Sequence, residues 1–340
     1  MNEALKAKLS KLSPDERKKL LARLSTQKPS SQPENPNSVS YQQEQFWLLH
    51  HFSGSPEIFN VCYSIDIYGG IDLNFLQESL RILVKQTDVF QFRFPKLSDE
   101  LNFVIDRESE PAFEHRNLPA GQDWTSWLDK NIKIAQKRTF DLELECPLRC
   151  YFFSKDSSHL NLCLVSHHIA LDGTSFAALW KALAKIVNSR LDGEEIPERP
   201  PSLQYHSYTE RQRQRLTKVQ LQQNREFWVK YLKGSQADLG LPEPSRQHHD
   251  HAGRLLMPLP DTEVEAVKSA TRRLGVTENI FFLSTYFSLL AETFHQRDIC
   301  LGTPAAIKPN PSDEDVIGCC INTLCLRERI HRRRKSVIIF

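Results

Sequence analysis

Residues 160–175 read LNLCLVSHHIALDGTS. The first half is an apolar run with strand alternation, Leu160, Leu162 and Leu164 facing one way and Cys163 and Val165 the other. His167 and His168 close the run, Asp172 and Gly173 follow, and FAALWKALAKIVNS (176–189) has helical spacing through Phe176, Leu179, Leu183, Ile186 and Val187. A strand therefore ends in a polar loop that feeds a helix. Adjacent residues leaving a strand point to opposite faces, so one histidine can look into a cleft while its neighbour packs inward. Gly173 admits close backbone approach. Thr174 and Ser175 are placed to cap the helix, whose first N–H groups are available to an anionic oxygen. A histidine beside such a site can move a proton during acyl transfer. Asp172 is either its catalytic partner or the residue that ties the loop together. His167, His168 and Asp172 do not make a metal set, because zinc needs three or four suitably directed ligands.

Outward from this loop the chain alternates between helix and strand. YQQEQFWLLHHF (41–52) has helical spacing, NVCYSIDIYG (60–69) alternates, and DLNFLQESLRILVKQ (72–86) is amphipathic. FQFRF (90–94) and LNFVID (101–106) read as strands, TSWLDKNIKIAQKR (125–138) as helix, and LRCYFF (148–153) as strand. These elements make one mixed α/β lobe over 38–188. Before it, residues 1–37 read as a helix opened by Ser13-Pro14-Asp15-Glu16, followed by a linker with Pro29, Pro33 and Pro36. The apolar stripe of that helix either packs back on its own domain or docks to another protein.

SRLDGEEIPERPPS (189–202) is rich in breakers and separates a second lobe, 189–340. There, Tyr208–Lys233 reads as a charged helical region anchored by Phe227, Trp228, Tyr231 and Leu232. PDTEVEAVKSATRRLG is a helix stopped by Gly275, and Thr277 caps an apolar helix expected to be buried. DICLGTPAA and VIGCCINTLCLRERI are strand-like.

The 340 residues suffice for two domains, and 44 basic against 42 acidic residues leave a formal net charge of +2, no basis for nucleic-acid binding. No apolar run is long enough for a membrane span, and the N-terminus lacks a secretory apolar core, so a cytoplasmic location is expected. None of the eight cysteines forms a CxxC pair, and they read as reduced core thiols. His248-His249-Asp250-His251 reads as a solvated loop. No metal site and no directly bound cofactor are expected.

The order HHxxxDG resembles the active-site motif of the condensation domains of nonribosomal peptide synthetases, in the chloramphenicol-acetyltransferase-like superfamily. SYQQEQFWLL (40–49) is similar to the first family motif through Ser40, Gln43, Trp47 and Leu49. FDLELECPLRCYFF (140–153) matches the approach to the histidine strand. QYHSYTERQ (204–212) looks like the fourth motif through Tyr205, Tyr208 and Gln212. LGTPAAIKPNP with VIGCCINTLCLR looks like the fifth, through Ile317, Gly318, Asn322, Thr323 and Arg327. The resemblance implies two acetyltransferase-like lobes in a V, with a tunnel between them. Carrier domains deliver phosphopantetheine-bound donor and acceptor from opposite ends, and the acceptor amine attacks the donor thioester. It makes His168 the active-site histidine, Asp172 the structural aspartate and Gly173 the glycine near the developing oxyanion, with His167 supporting them. Ser40, Trp47, Asn322 and Thr323 become substrate-channel candidates. The N-terminal helix would meet an upstream synthetase subunit. An acyltransferase acting on a hydroxyl acceptor or a coenzyme A donor, and a non-catalytic remnant that binds carrier proteins, stay open as alternatives.

Departures from the pattern lead to further expectations. KQTDVFQFRF (85–94) aligns with the second motif, and its internal arginine, which in the family pairs with the motif aspartate, falls on Gln91. Gln91 or Arg93 is therefore expected to support Asp172, and the Asp–Gln version is weaker than a charge-assisted pair. Gln45 and Ser207 also replace usual Arg and Asp residues. After Arg327 the resemblance fades, so the second lobe is expected to be incomplete and this chain unstable or poorly active alone.

Overall fold

The computed structural model describes residues 38–70, 72–95, 101–236, 238–240, 256–308 and 310–330. The expected N-terminal helix and linker and the loop 248–251 lie outside the described residues. In chain order the elements are α1 (Tyr41–Phe52), β1 (Asn60–Tyr68), α2 (Leu73–Lys85), β2 (Phe92–Arg93), β3 (Val104–Ile105), β4 (Ala112–Asn117), α3 (Trp124–Gln136), β5 (Leu148–Ser154), β6 (His159–His167), α4 (Ser175–Asp192), α5 (Tyr205–Arg215), α6 (Lys218–Leu232), α7 (Asp261–Leu274), α8 (Glu278–Phe294), β7 (Asp298–Ala306) and β8 (Ile321–Arg329). The mixed α/β class expected from the alternation is what these elements form.

They group into two compact units. The first takes the chain up to Leu221 and then Ala306–Asn322; the second takes Gln222–Ala305 and the chain from Thr323. The first unit carries a sheet of order β1-β6-β5-β4, antiparallel except for the parallel β4–β5 pair. Both faces of its central strands are buried: Leu148 to Phe153 on β5 and Leu162 to Val165 on β6 are all inside. Near-continuous apolar runs of this kind belong to a sheet covered on both sides. Local signals set the helix starts. Ser40 and Gln43 form a reciprocal capping box at α1, Asp72 caps α2 and Asp123 caps α3.

Several expectations need correcting. FQFRF is a single 3₁₀ turn (Asp88–Gln91) followed by the two-residue strand β2, because Asp88 accepts the N–H groups of Tyr205 and His206 and holds the segment in a turn. β4 was not expected; AFEHRN is an edge strand of mixed polarity with no alternating pattern. The helical region 208–233 is two helices, and Thr217 caps the second through Gln220 N–H.

The first unit also extends beyond the 38–188 lobe. α5 belongs to it through buried Tyr205, Tyr208 and Gln212, and Gln212 bonds Gln42 and the Tyr41 N–H on α1. The segment 306–322 returns to it with Val316, Ile317, Cys319 and Cys320 buried. Gly318 is what lets that segment in: a Cβ built there would stand 1.8 Å from the Tyr205 ring.

The second unit has a small core. Phe287, Leu290 and Ala291 of α8 and Ile299 of β7 are buried, with Leu283, Leu301 and Leu326 packed against them. Gly275 (φ 67°) ends α7 and Thr277 caps α8, as expected. The expected burial of α8 is only partial. Phe282, Tyr286 and Leu289 are 49–59% exposed, because among the described residues the two-stranded β7–β8 sheet offers α8 one surface to pack on. Arg327 fixes the unit's strand ends through a bidentate bond to Asp298 at 2.6 and 2.5 Å, and through the carbonyls of Tyr231 and Lys233.

Candidate active site

The loop 167–175 leaves the buried centre of the sheet on β6 and enters α4, so its ends are rigid. His167 is fully buried and His168 half-buried. Ile169 N–H donates to His167 Nδ1 at 3.0 Å, and His167 Nε2 lies 3.1 Å from His50 Nδ1. Burial, then the neighbouring histidines, push His167 well below the usual imidazole range.

His168 donates its backbone N–H to Phe59 O at 2.8 Å. Its ring stacks on Phe46 with centroids 4.6 Å apart and planes 8° from parallel. Its Nδ1 is buried with no hydrogen-bond partner among the described residues. Burial lowers the pKa of His168, and the Asp172 carboxylate pulls part of the way back. The ring is therefore uncharged near neutrality and able to accept a proton.

Both carboxylate oxygens of Asp172 are taken up by bonds within the first unit. The residue is fully buried. Its Oδ1 accepts from Ser175 N–H and from the Thr174 hydroxyl, each at 2.8 Å, and its Oδ2 accepts from Cys320 N–H at 2.7 Å. Asp172, not Thr174 or Ser175, is thus the side chain that caps α4. Ser175 Oγ lies 2.8 Å from Asp172 Oδ1 and 2.6 Å from Gly318 O, with one proton to give, and accepts from Gly318 N–H. The carboxylate is a clamp between the loop and residues 318–320.

Gly173 is exposed at the turn. Neither its N–H nor that of Thr174 donates to any described group. These two groups, in the same loop as His168, are donors available to a developing oxyanion. A Cβ at Gly173 would meet the Tyr63 hydroxyl at 3.3 Å.

Other expected residues fall elsewhere. Gln91 does not reach Asp172; its Nε2 donates to the carbonyls of Lys85 and Val84. Arg93 bonds Asp106 and Ser109, each at 2.8 Å, and the carbonyls of Phe90 and Phe92. Both brace the β2–β3 corner, and Asp172 is held by backbone and hydroxyl donors instead. Ser40 and Trp47 are too buried to line a channel. Ser40 Oγ instead bonds Tyr205 Oη at 2.8 Å, and Tyr205 donates to Cys319 O at 2.6 Å. Asn322 and Thr323 lie exposed on β8. Phe46, His50 and Tyr63 were not singled out as site residues from sequence. A signal for two of them existed: Phe46 and His50 share one face of α1, four residues apart.

No group of histidine, cysteine and carboxylate side chains among the described residues could hold a metal ion. A pocket of about 370 Å³ opens beside the loop, lined by His50, His51, Phe94 and the segment from Arg138 to Glu145.

The geometry meets its family here. The model of the condensation domain matches residues 34–338, nearly the whole chain and beyond the Arg327 where the resemblance was expected to fade. The chain belongs to the condensation-domain family. Condensation domains are the acyltransferases that form peptide bonds in nonribosomal peptide synthetases. Among relatives, malpinin synthetase of Mortierella alpina is 26% identical over 301 residues, covering 86% of this chain and 4% of that synthetase. The phosphinothricin tripeptide synthetase PhsC of Streptomyces viridochromogenes is 25% identical over 344 residues, covering 96% of this chain and 32% of that synthetase. The chain thus spans a small part of the relatives it matches.

Solved structures show the same fold. The X-domain from teicoplanin biosynthesis superposes with a TM-score of 0.74 at 20% identity, over 89% of this chain and 67% of that one. The first condensation domain of the CDA synthetase gives 0.71 at 17% identity, over 87% and 71%. SgcC5 of Streptomyces globisporus, solved with a naphthyl ethanediol, gives 0.69 at 18%, over 87% and 69%.

Proposed function

We propose that this condensation domain forms an amide between an acyl or peptidyl thioester and the amine of an aminoacyl thioester, each presented on the phosphopantetheine arm of a carrier domain. The observation that carries the reading is the make-up of one loop: an uncharged, half-buried His168, the unbonded N–H groups of Gly173 and Thr174, and Asp172 committed to structure.

An α-amine has a pKa of roughly 7.7–8.0, so on the order of a tenth is already neutral at pH 7. His168 is not needed to create the nucleophile. The amine nitrogen attacks the thioester carbon, and the carbonyl oxygen takes the negative charge toward the Gly173 and Thr174 donors. The nitrogen becomes cationic and loses a proton to His168. The carbon–sulfur bond then breaks, and the proton returns from His168 to the departing thiolate. Amide and free carrier thiol are the products, with no net proton change.

A hydroxyl acceptor is the second reading, favoured by the diol bound to SgcC5. A carrier-binding remnant stays as the third reading, since Gln91 does not reach Asp172 and no arginine among the described residues takes its place there. The working place is the cytoplasm, in keeping with eight cysteines that are all free thiols. Contact with an upstream subunit through residues 1–27 belongs to the same proposal. Single-turnover assays with one acylated donor carrier and matched amine or alcohol acceptors test it. Amide formation supports the first reading and ester formation the second. Carrier binding without either product removes both.

A further inference from the structure

The two histidines of the loop are gripped by one helix. α1 places Phe46 against the ring of His168 and, one turn later, His50 against the ring of His167. The second contact has a definite polarity. Ile169 N–H occupies the lone pair of His167 Nδ1 at 3.0 Å, so in the neutral ring the proton lies on Nε2. That proton points at His50 Nδ1, 3.1 Å away, which must therefore be an acceptor. His167 is held neutral by its burial.

We propose that His50 is a positioning residue for the catalytic loop, and that only its uncharged form, accepting from His167 Nε2–H, holds the loop in place. The proposal rests on the condensation reading for its kinetic consequence but not for its structural one. An imidazolium at His50 carries a proton on Nδ1 and sets N–H against N–H. His167 cannot answer by changing tautomer, because Ile169 N–H already holds its Nδ1. The tether is then lost, and with it one of the constraints on residues 167–171, where His167 O also accepts from Ala170 and Leu171 N–H. The titratable and charged groups around His50 are His51 on α1, His167 and His168 at the end of β6, and Arg138, Asp141, Glu143 and Glu145 across the pocket. The pocket gives protons a route to His50 that the buried His167 lacks.

The test uses the full chain labelled with ¹⁵N in its histidine rings, and two variants. Long-range ¹H–¹⁵N spectra are expected to show His167 with its proton on Nε2, changing state when His50 titrates. His50→Phe removes the acceptor, and the rate is expected to fall about 10- to 100-fold with KM little changed, as for a misplaced catalytic group. His50→Asn puts an amide oxygen where Nδ1 stood; it is expected to recover most of the rate and to move the acid limb of the pH profile downward, since it cannot be protonated. A His167 proton on Nδ1, an undiminished rate in His50→Phe, or a His50→Asn variant as defective as His50→Phe each overturns the proposal. If the unaltered chain makes no amide, the condensation reading fails, while the spectra still decide the role of His50.

Discussion

At His168 two forces oppose each other and burial wins. Desolvation by burial disfavours the imidazolium more than the Asp172 carboxylate favours it. The base form therefore persists below the ordinary imidazole pKa of about 6.5. His168→Ala is expected to lower the single-turnover rate by about 10²–10⁴-fold, the range for general-base assistance, while the melting temperature changes little. His167 carries a different consequence. Its folded pKa lies below the unfolded value, so the unfolded chain binds the proton first. The stability it contributes is complete above about pH 6.5 and is lost as pH falls from there toward the folded pKa. Denaturant midpoints at a series of pH values should fall on the acid side, and His167→Asn should flatten the fall. The identity of both histidines was legible in the motif. Their division of labour was not, because it is set by Phe46 and His50, some 120 residues away on a helix whose contacts no spacing rule reveals.

At the element scale the motifs explain one another. Ser40 of α1, Tyr205 of α5, and Gly318 with Cys319 of the returning segment form one hydrogen-bonded stack against the start of α4. A methyl at Gly318 would enter the Tyr205 ring, so Gly318→Ala must displace either the segment or the tyrosine. Overpacking of this kind costs about 1–3 kcal/mol, and urea unfolding should show it. The same substitution in a Tyr205→Ala background should cost much less, since the obstacle is gone. Asp172→Asn tests the clamp from the other side. An amide offers one oxygen where the carboxylate offers two, leaving Cys320 N–H or Ser175 N–H facing an NH₂ group. A loss of about 1.5–3 kcal/mol is expected, the worth of one charged hydrogen bond. Linear order placed Gln91 and Arg93 at this clamp, and the structure does not. Alignment assigns a residue to a column, but Asp172 is satisfied by backbone N–H groups, which have no sequence signature. β4 escaped for a related reason: an edge strand with one wet face has little apolar pattern to read.

At the scale of the whole molecule the two units differ in how much they bury. The first has both faces of the central strands β5 and β6 of its four-stranded sheet covered. Among the described residues the second is a two-stranded sheet against one side of α8, with four buried residues in its core. Local opening is cheapest where few apolar contacts must be broken, so the units should not share one opening free energy. Amide exchange gives the measurement. Backbone N–H groups of β5 and β6 are expected to exchange only through global opening of the first unit. Those of α7 and α8 should exchange faster, by about tenfold for every 1.4 kcal/mol of difference in opening free energy. Arg327→Met removes the bidentate bond to Asp298 and the bonds to the Tyr231 and Lys233 carbonyls, and should speed exchange in the second unit alone. The histidine loop lies wholly in the first unit, as do the Gly318 and Cys320 contacts that clamp it. Its protection should therefore follow β6 and be indifferent to that substitution. Uniform protection across both units, or loss of protection at residues 167–175 in Arg327→Met, would show that the site depends on the second unit for its order.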